Sequence, residues 1–138
     1  MQLNDMLAYK VSMLSSDLSE SLAAVYEPYG LTMPEWRVLA TLGNTTSLTS
    51  KHIAAATRLD KVKTSRALQQ LESKQLISRV TSKNDKRAIN ISLSEEGVRT
   101  YNELTPLVAA WQAGKLENIT DDEYHIFLKV INGLSQQK

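Results

Sequence analysis

A mainly α-helical chain with one small β-hairpin is predicted by three observations. Apolar residues recur at helical spacing towards both ends of the chain, short capped helical segments lie between them, and only the stretch from Leu76 to Leu93 shifts to a period of two.

The elements can be read in order. Leu3, Leu7, Val11, Leu14, Leu18, Leu22, Val25 and Tyr29 step by three or four residues, a heptad-like stripe along one long helix that Pro28 and Gly30 end. Met6, Met13 and Tyr26 widen this stripe beyond what a small domain covers alone, which predicts pairing with another chain. Thr32 caps a second helix, with Pro34 in its first turn and Glu35 placed for a capping box. Trp36, Val38, Leu39 and Leu42 form its buried face, and Gly43 stops it. A polar loop from Asn44 to Ser47 leads to Thr49, the cap of a short third helix carrying Ile53, Ala54 and Ala56. After the turn Thr57-Arg58-Leu59, Asp60 caps a fourth helix that runs to about Lys74.

Leu76 to Val80 and Ile89 to Leu93 read as strands, the second with clean alternation, joined by the polar turn Ser82 to Arg87. Ser94 begins a fifth helix with Glu95 and Glu96 at its positive end. Its apolar positions are Tyr101, Leu104, Leu107, Val108 and Trp111, and Pro106 predicts a kink. Thr120 and Glu123 form another capping box, opening a last helix with Phe127, Leu128, Ile131 and Leu134.

Charge distribution says more than net charge, which is only +1. Between Lys51 and Arg87 lie ten Lys and Arg against three acids, whereas the rest of the chain carries six bases and twelve acids. Positive potential is therefore concentrated on one part of the surface, as a phosphate-binding protein requires. With 42% hydrophobic and 22% charged residues the composition is that of an ordinary folded chain. No apolar run approaches the roughly 18 residues that span a bilayer, and no basic region followed by an apolar block opens the sequence. A cytoplasmic location with no membrane partner is expected. Cysteine is absent, which removes disulfides and thiol sensing. His52 and His125 lack clustered ligand spacing, and no metalloprotease, phosphate-loop or nucleophile-elbow motif is present. No metal, no cofactor and no enzymatic activity are expected.

Two short helices joined by a tight turn, followed by a cationic hairpin, make a winged helix-turn-helix. It would span about residues 31–97 of a single domain, with dimerisation helices at about 1–30 and 98–138. In such units the second helix enters the major groove and the hairpin tip reaches the backbone or minor groove. With Thr64, Leu68 and Leu71 as the inward row of the fourth helix, Val62, Arg66, Gln69 and Ser73 point the other way, flanked by Lys63, Gln70 and Ser65. Arg suits guanine, Gln suits adenine and Val62 suits a thymine methyl. Lys51 and Lys61 are candidate phosphate contacts, and Lys83, Lys86 and Arg87 form a cationic wing tip in which Asp85 can orient Arg87. The same cations would also serve an exposed helix as solubilising charge, and a winged helix can act as a protein-interaction module. Double-stranded operator DNA remains the better match to this inventory, and a homodimer would read it as a palindrome.

The segments Leu59 to Leu68, Leu71 to Ile77, Asp85-Lys86-Arg87 and Leu93-Ser94-Glu95-Glu96-Gly97 resemble the MarR (multiple antibiotic resistance regulator) family. The wing Asp-x-Arg followed by a strand and Leu-Ser-x-x-Gly is the specific part. The resemblance implies a homodimer joined through the terminal helices, here through Leu7, Leu14, Leu18, Leu22, Trp111 and Phe127, and a repressor relieved by a small-molecule effector. It also implies a small aromatic or carboxylate ligand where the DNA-binding lobe meets the dimerisation helices. Met13, Trp36 and Arg37 are candidates to line such a site, with Arg37 as anion anchor; core packing of Met13 and Trp36 and a structural ion pair for Arg37 is the simpler reading. Two positions depart from the family pattern. Thr64 stands where Val is frequent and needs a hydroxyl partner, and Gln75 stands where Gly is common as a helix stop.

Overall fold

A computed structural model of the chain describes residues 1–81 and 89–135. The elements in order are α1 (Leu7–Tyr26), α2 (Met33–Leu42), β1 (Leu48–Thr49), α3 (Ser50–Thr57), α4 (Lys61–Ser73), β2 (Ile77–Thr81), β3 (Ile89–Leu93), α5 (Glu95–Lys115) and α6 (Asp121–Ser135). The expected fold class holds: helices dominate, with one small sheet.

The anticipated caps organise the chain. Thr32, Thr49, Asp60 and Ser94 each accept a backbone amide through the side chain at the start of α2, α3, α4 and α5. Thr120 and Glu123 close a reciprocal box before α6, at 2.9 and 3.1 Å, and hydrogen bonding from the Thr120 amide first, then its side chain, holds the Glu123 carboxyl below its ordinary pKa. In α2 the box is altered: the Thr32 hydroxyl donates to Glu35 Oε2 at 2.9 Å, and Glu35 is buried.

The observed elements differ from the sequence reading in detail. The long first helix starts at Leu7, because Leu3–Asp5 form a separate 3₁₀ turn and Met6 is extended between them. At its other end Glu27–Tyr29 tighten into a second 3₁₀ turn before Gly30, whose φ of 74° lets the chain reverse. The segment before α3 is a short strand, not only a loop, and the sheet has the order β1-β3-β2, all antiparallel. Two residues are too few for an alternation signal. Helix α5 runs through Pro106 without a break.

The core is built from every element of the central lobe. Val38, Leu39 and Leu42 of α2 meet Ile53 of α3, Leu68 and Leu71 of α4, Ile91 of β3 and Leu104 of α5, all fully buried. Alternation in β3 is incomplete, since Ile91 is buried but Ile89, at the far end, is exposed. Gly43 lets α5 approach α2, because a Cβ there would fall 2.1 Å from the Tyr101 ring.

The end of α4 is the most tightly specified joint. Leu76 N–H donates to the Leu71 carbonyl and Gln75 N–H to the Glu72 carbonyl, both at 2.9 Å, the paired bonds of a Schellman motif. Leu71 and Leu76 are both buried, as that motif favours. Gln75 accordingly has a left-handed φ of 63° despite its side chain. The start of α5 then grips this turn: Ser94 N–H donates to the Leu76 carbonyl at 3.0 Å and Ser94 Oγ to the Gln75 carbonyl at 2.7 Å. A Cβ on Gly97 would lie 2.0 Å from the Leu76 oxygen.

Substitutions at this joint should therefore act in opposite directions. Gln75→Gly relieves a left-handed backbone costing roughly 1 kcal/mol, partly offset by the greater freedom of unfolded Gly, and should stabilise by about 0.5 kcal/mol. Gly97→Ala forces backbone apart and should destabilise by about 2 kcal/mol. Thermal unfolding of both variants checks this; a lower Tm for Gln75→Gly or an unchanged one for Gly97→Ala would contradict it.

Candidate nucleic-acid interface

Helix α4 is oriented by its buried row. Thr64, Ala67, Leu68 and Leu71 face the core, and Asp60 Oδ1 accepts the Lys63 amide at 2.7 Å to fix the first turn. The Thr64 hydroxyl finds its partner locally, donating to the Asp60 carbonyl at 2.8 Å, so its burial leaves no polar group unpaired. Val62, Lys63, Ser65, Arg66, Gln69 and Gln70 are all exposed on the other side, and Val62 is 67% accessible.

Two hollows flank this ridge. One, of about 560 Å³ between α3 and α4, is lined by Ser50, Lys51, Lys61, Ser65 and Arg79 among others. The other, of about 540 Å³ between α4 and the first turn of α2, includes Lys63, Arg66, Gln70 and Lys74. Cations thus border α4 on both flanks. Lys51, Lys61 and Ser65 come together in the first hollow, while Val62 and Gln69 stay on the outer ridge.

Arg79 was not among the candidate site residues. It pairs directly opposite the buried Ile91, so the two share the helix-facing side of the sheet. Period two along β2 carried that signal, since Arg79 lies two residues from the buried Ile77. Its Nε donates to Glu72 Oε2 at 3.1 Å, which anchors the guanidinium at the mouth of the hollow. Lys83, Asp85, Lys86 and Arg87, the expected wing tip, lie outside the described residues.

The remaining candidates scatter. Trp36 is half-buried, its ring stacked on Tyr26 at 6.2 Å between centroids and 13° between planes. Burial and the neighbouring Glu27 push the Tyr26 phenol pKa up, while Arg37 opposes them. Trp36 lines a groove of about 280 Å³ with Ala40, Asn44, Tyr101, Thr105 and Val108, between α2 and α5; neither Met13 nor Arg37 lines that groove. Met13 is exposed on α1 rather than part of the core, and Arg37 is exposed and enters no ion pair among the described residues. Leu7, Leu14 and Phe127 are exposed, but Leu18, Leu22 and Trp111 are half-buried, and Trp111 Nε1 donates to Ser21 Oγ at 2.9 Å across α1 and α5.

The helices, the sheet and the order in which they follow one another define a winged helix-turn-helix protein. Residues 29–88 match the model of the MarR family. Over that stretch the chain is similar to that family. Among solved structures it is similar to a MarR family transcriptional regulator from Silicibacter pomeroyi DSS, at 25% identity over 97% of this chain and 90% of that one, with a TM-score of 0.83. The S. aureus MepR–DNA complex matches at 22% identity over 96% of this chain and 98% of the other, with a TM-score of 0.86. A mutant MarR from E. coli complexed with operator DNA matches at 21% identity over 93% and 92%, with a TM-score of 0.85.

Proposed function

We propose that this chain is a transcriptional regulator that binds a palindromic DNA operator as a homodimer, with α4 as the recognition helix. The observation that carries this reading is the outer face of α4, where Val62, Arg66 and Gln69 stand exposed on a helix capped and buried along its other side. Arg66 and Gln69 would read base edges, Val62 a thymine methyl, and Lys63 and Ser65 the groove edge. Lys51, Lys61 and Arg79 would hold phosphates, which fix register without reading sequence. The wing residues Lys83, Lys86 and Arg87 would reach the flanking backbone and minor groove, with Asp85 orienting Arg87. Two solved relatives that share the fold were determined with DNA, which supports the same reading.

Unburied apolar surface supports the dimer. Leu3 in the preceding turn, Leu7, Val11 and Leu14 on α1 and Ile126, Phe127, Val130, Ile131 and Leu134 on α6 are all exposed, and α6 has no buried residue. Single exposed leucines are normal, whereas two such faces in one small chain call for a covering partner. Residues 1–30 and 98–138 would thus form the dimerisation part and 31–97 the DNA-binding lobe. Leu22 and Trp111 would contribute indirectly, by fastening α1 to the core and to α5.

Regulation would be repression, relieved by a small aromatic or carboxylate effector. The groove beside Trp36 and Tyr101 supports this because it lies between α2 of the lobe and α5 of the dimerisation part. A ligand there would bear on the angle between them.

Sequence readout and phosphate anchoring should separate in binding assays. Arg66→Ala should cost about 1–3 kcal/mol and relax preference at particular base positions, whereas Lys51→Ala or Lys61→Ala should weaken all sequences alike and lower the salt slope by about one unit. Unchanged affinity and preference in Arg66→Ala would remove α4's outer face from the account. The dimer is tested separately. Sedimentation equilibrium at micromolar concentration should give twice the chain mass, through an apolar interface of about 2,000 Å² or more. A monomer there would contradict it.

A further inference from the structure

Glu35, the one buried carboxylate among the described residues, sits far in sequence from the cation that neutralises it. Lys74, at the C-terminal end of α4, extends its ammonium across the lobe to Glu35 Oε1 and, at 2.5 Å, to the Gly30 carbonyl. Gly30 belongs to the reversal that leaves α1, and Glu35 to the first turn of α2, where the Thr32 hydroxyl holds the other carboxylate oxygen at 2.9 Å. One ammonium therefore ties together the exit of α1, the start of α2 and the end of α4. The next two residues tie the same helix end to the start of α5 through Ser94.

We propose that Lys74 is a positioning residue for DNA recognition, setting the tilt of α4 against α1 and so the spacing between the two recognition helices of a dimer. The proposal rests on the functional reading above and adds to it a residue outside the reading face. Its leverage is geometric. Helix α4 has 13 residues, so it is about 20 Å long. A tilt of about 10° about the Lys74 end would move its first turn by about 3.5 Å, close to the 3.4 Å rise of one base pair. A loosened Lys74 joint would thus translate into tolerance of half-site spacing. Simple loss of stability would not, because it lowers affinity for every site by the same factor.

Its neighbours argue for a directional bond. Glu35 is 4% exposed, so its charge needs a fixed partner, and Lys74 reaches it while lying along the hollow beside α4. An ammonium bridging a carbonyl and a carboxylate resists displacement of the turn after α1 or the start of α2 relative to α4.

The test uses the full chain and a duplex selected by the unmodified protein from a random pool. Palindromes derived from it are then varied in half-site spacing by single base pairs. The unmodified protein should show a sharp optimum. Lys74→Met should lose about tenfold in affinity at the optimum and little at neighbouring spacings, flattening the profile. Lys74→Arg, which keeps a donor fork on the same two acceptors, should preserve the optimum. Since Lys74→Met leaves a buried charge alone and can fail to fold, the double variant Glu35→Leu/Lys74→Met removes both charges; folded, it should show the same flattened profile. A folded double variant with the sharp optimum of the unmodified protein would overturn the proposal, as would an equal loss at every spacing. If the unmodified protein selects no duplex, the functional reading fails and takes this proposal with it; a sharp optimum that survives removal of Lys74 sinks this proposal alone.

Discussion

The turn at Gln75 and Leu76 is the constraint on which the lobe depends. A helix that presents side chains to a ligand must be fixed in rotation by its buried row and in position by its ends. Thr64, Ala67, Leu68 and Leu71 supply the first. Asp60 fixes one end, and at the other the chain accepts a left-handed glutamine so that Leu76 can close back on Leu71. Gly97 has no Cβ because the Leu76 carbonyl occupies that space. Strand β2 departs from the same point, so the helix, the sheet and the start of α5 share one backbone anchor. Strain at a non-glycine residue there, of order 1 kcal/mol, is small beside the hydrogen bonds and burial it permits.

The terminal helices obey a different constraint. Along α1, Leu22, Val25 and Tyr26 near the C-terminal end pack on the lobe, while Leu7, Val11 and Leu14 near the N-terminal end stand open. The same periodic stripe thus has two jobs, divided along its length rather than around it. Helix α6 carries the division to its limit, since its capping box specifies a start and nothing in the described chain covers its apolar face. Burial worth about 25 cal/mol per Å² is left unclaimed on both helices, which makes association the natural completion of the fold.

Local chemistry was legible in the sequence, and long-range chemistry was not. Thr32, Asp60, Ser94 and Thr120 announced helix starts because a cap acts over three residues, within reach of reading. The inward row of α4 followed from its period, and so did the exposure of Val62, Arg66 and Gln69. Strand β1 escaped because its pairing with β3 spans the lobe and its two residues carry no period. Lys74 and Glu35 are separated by 39 residues, and nothing in either segment points to the other. Arg79 was overlooked for a subtler reason: an arginine in a strand invites assignment to the solvent face, yet its register sets it opposite Ile91. Met13 and Arg37 were grouped with Trp36 by chemical suitability, and the helix geometry separates them from its groove.

The central claim is that the outer face of α4 meets DNA while the terminal helices meet each other. Amide-resolved NMR of the isotopically labelled chain, titrated with a bound duplex, tests it directly. The account predicts the largest shift changes at residues 61–70, with further changes around Lys51 and Arg79, and small ones along α6. Changes concentrated on α6, with residues 61–70 undisturbed at saturation, would contradict it.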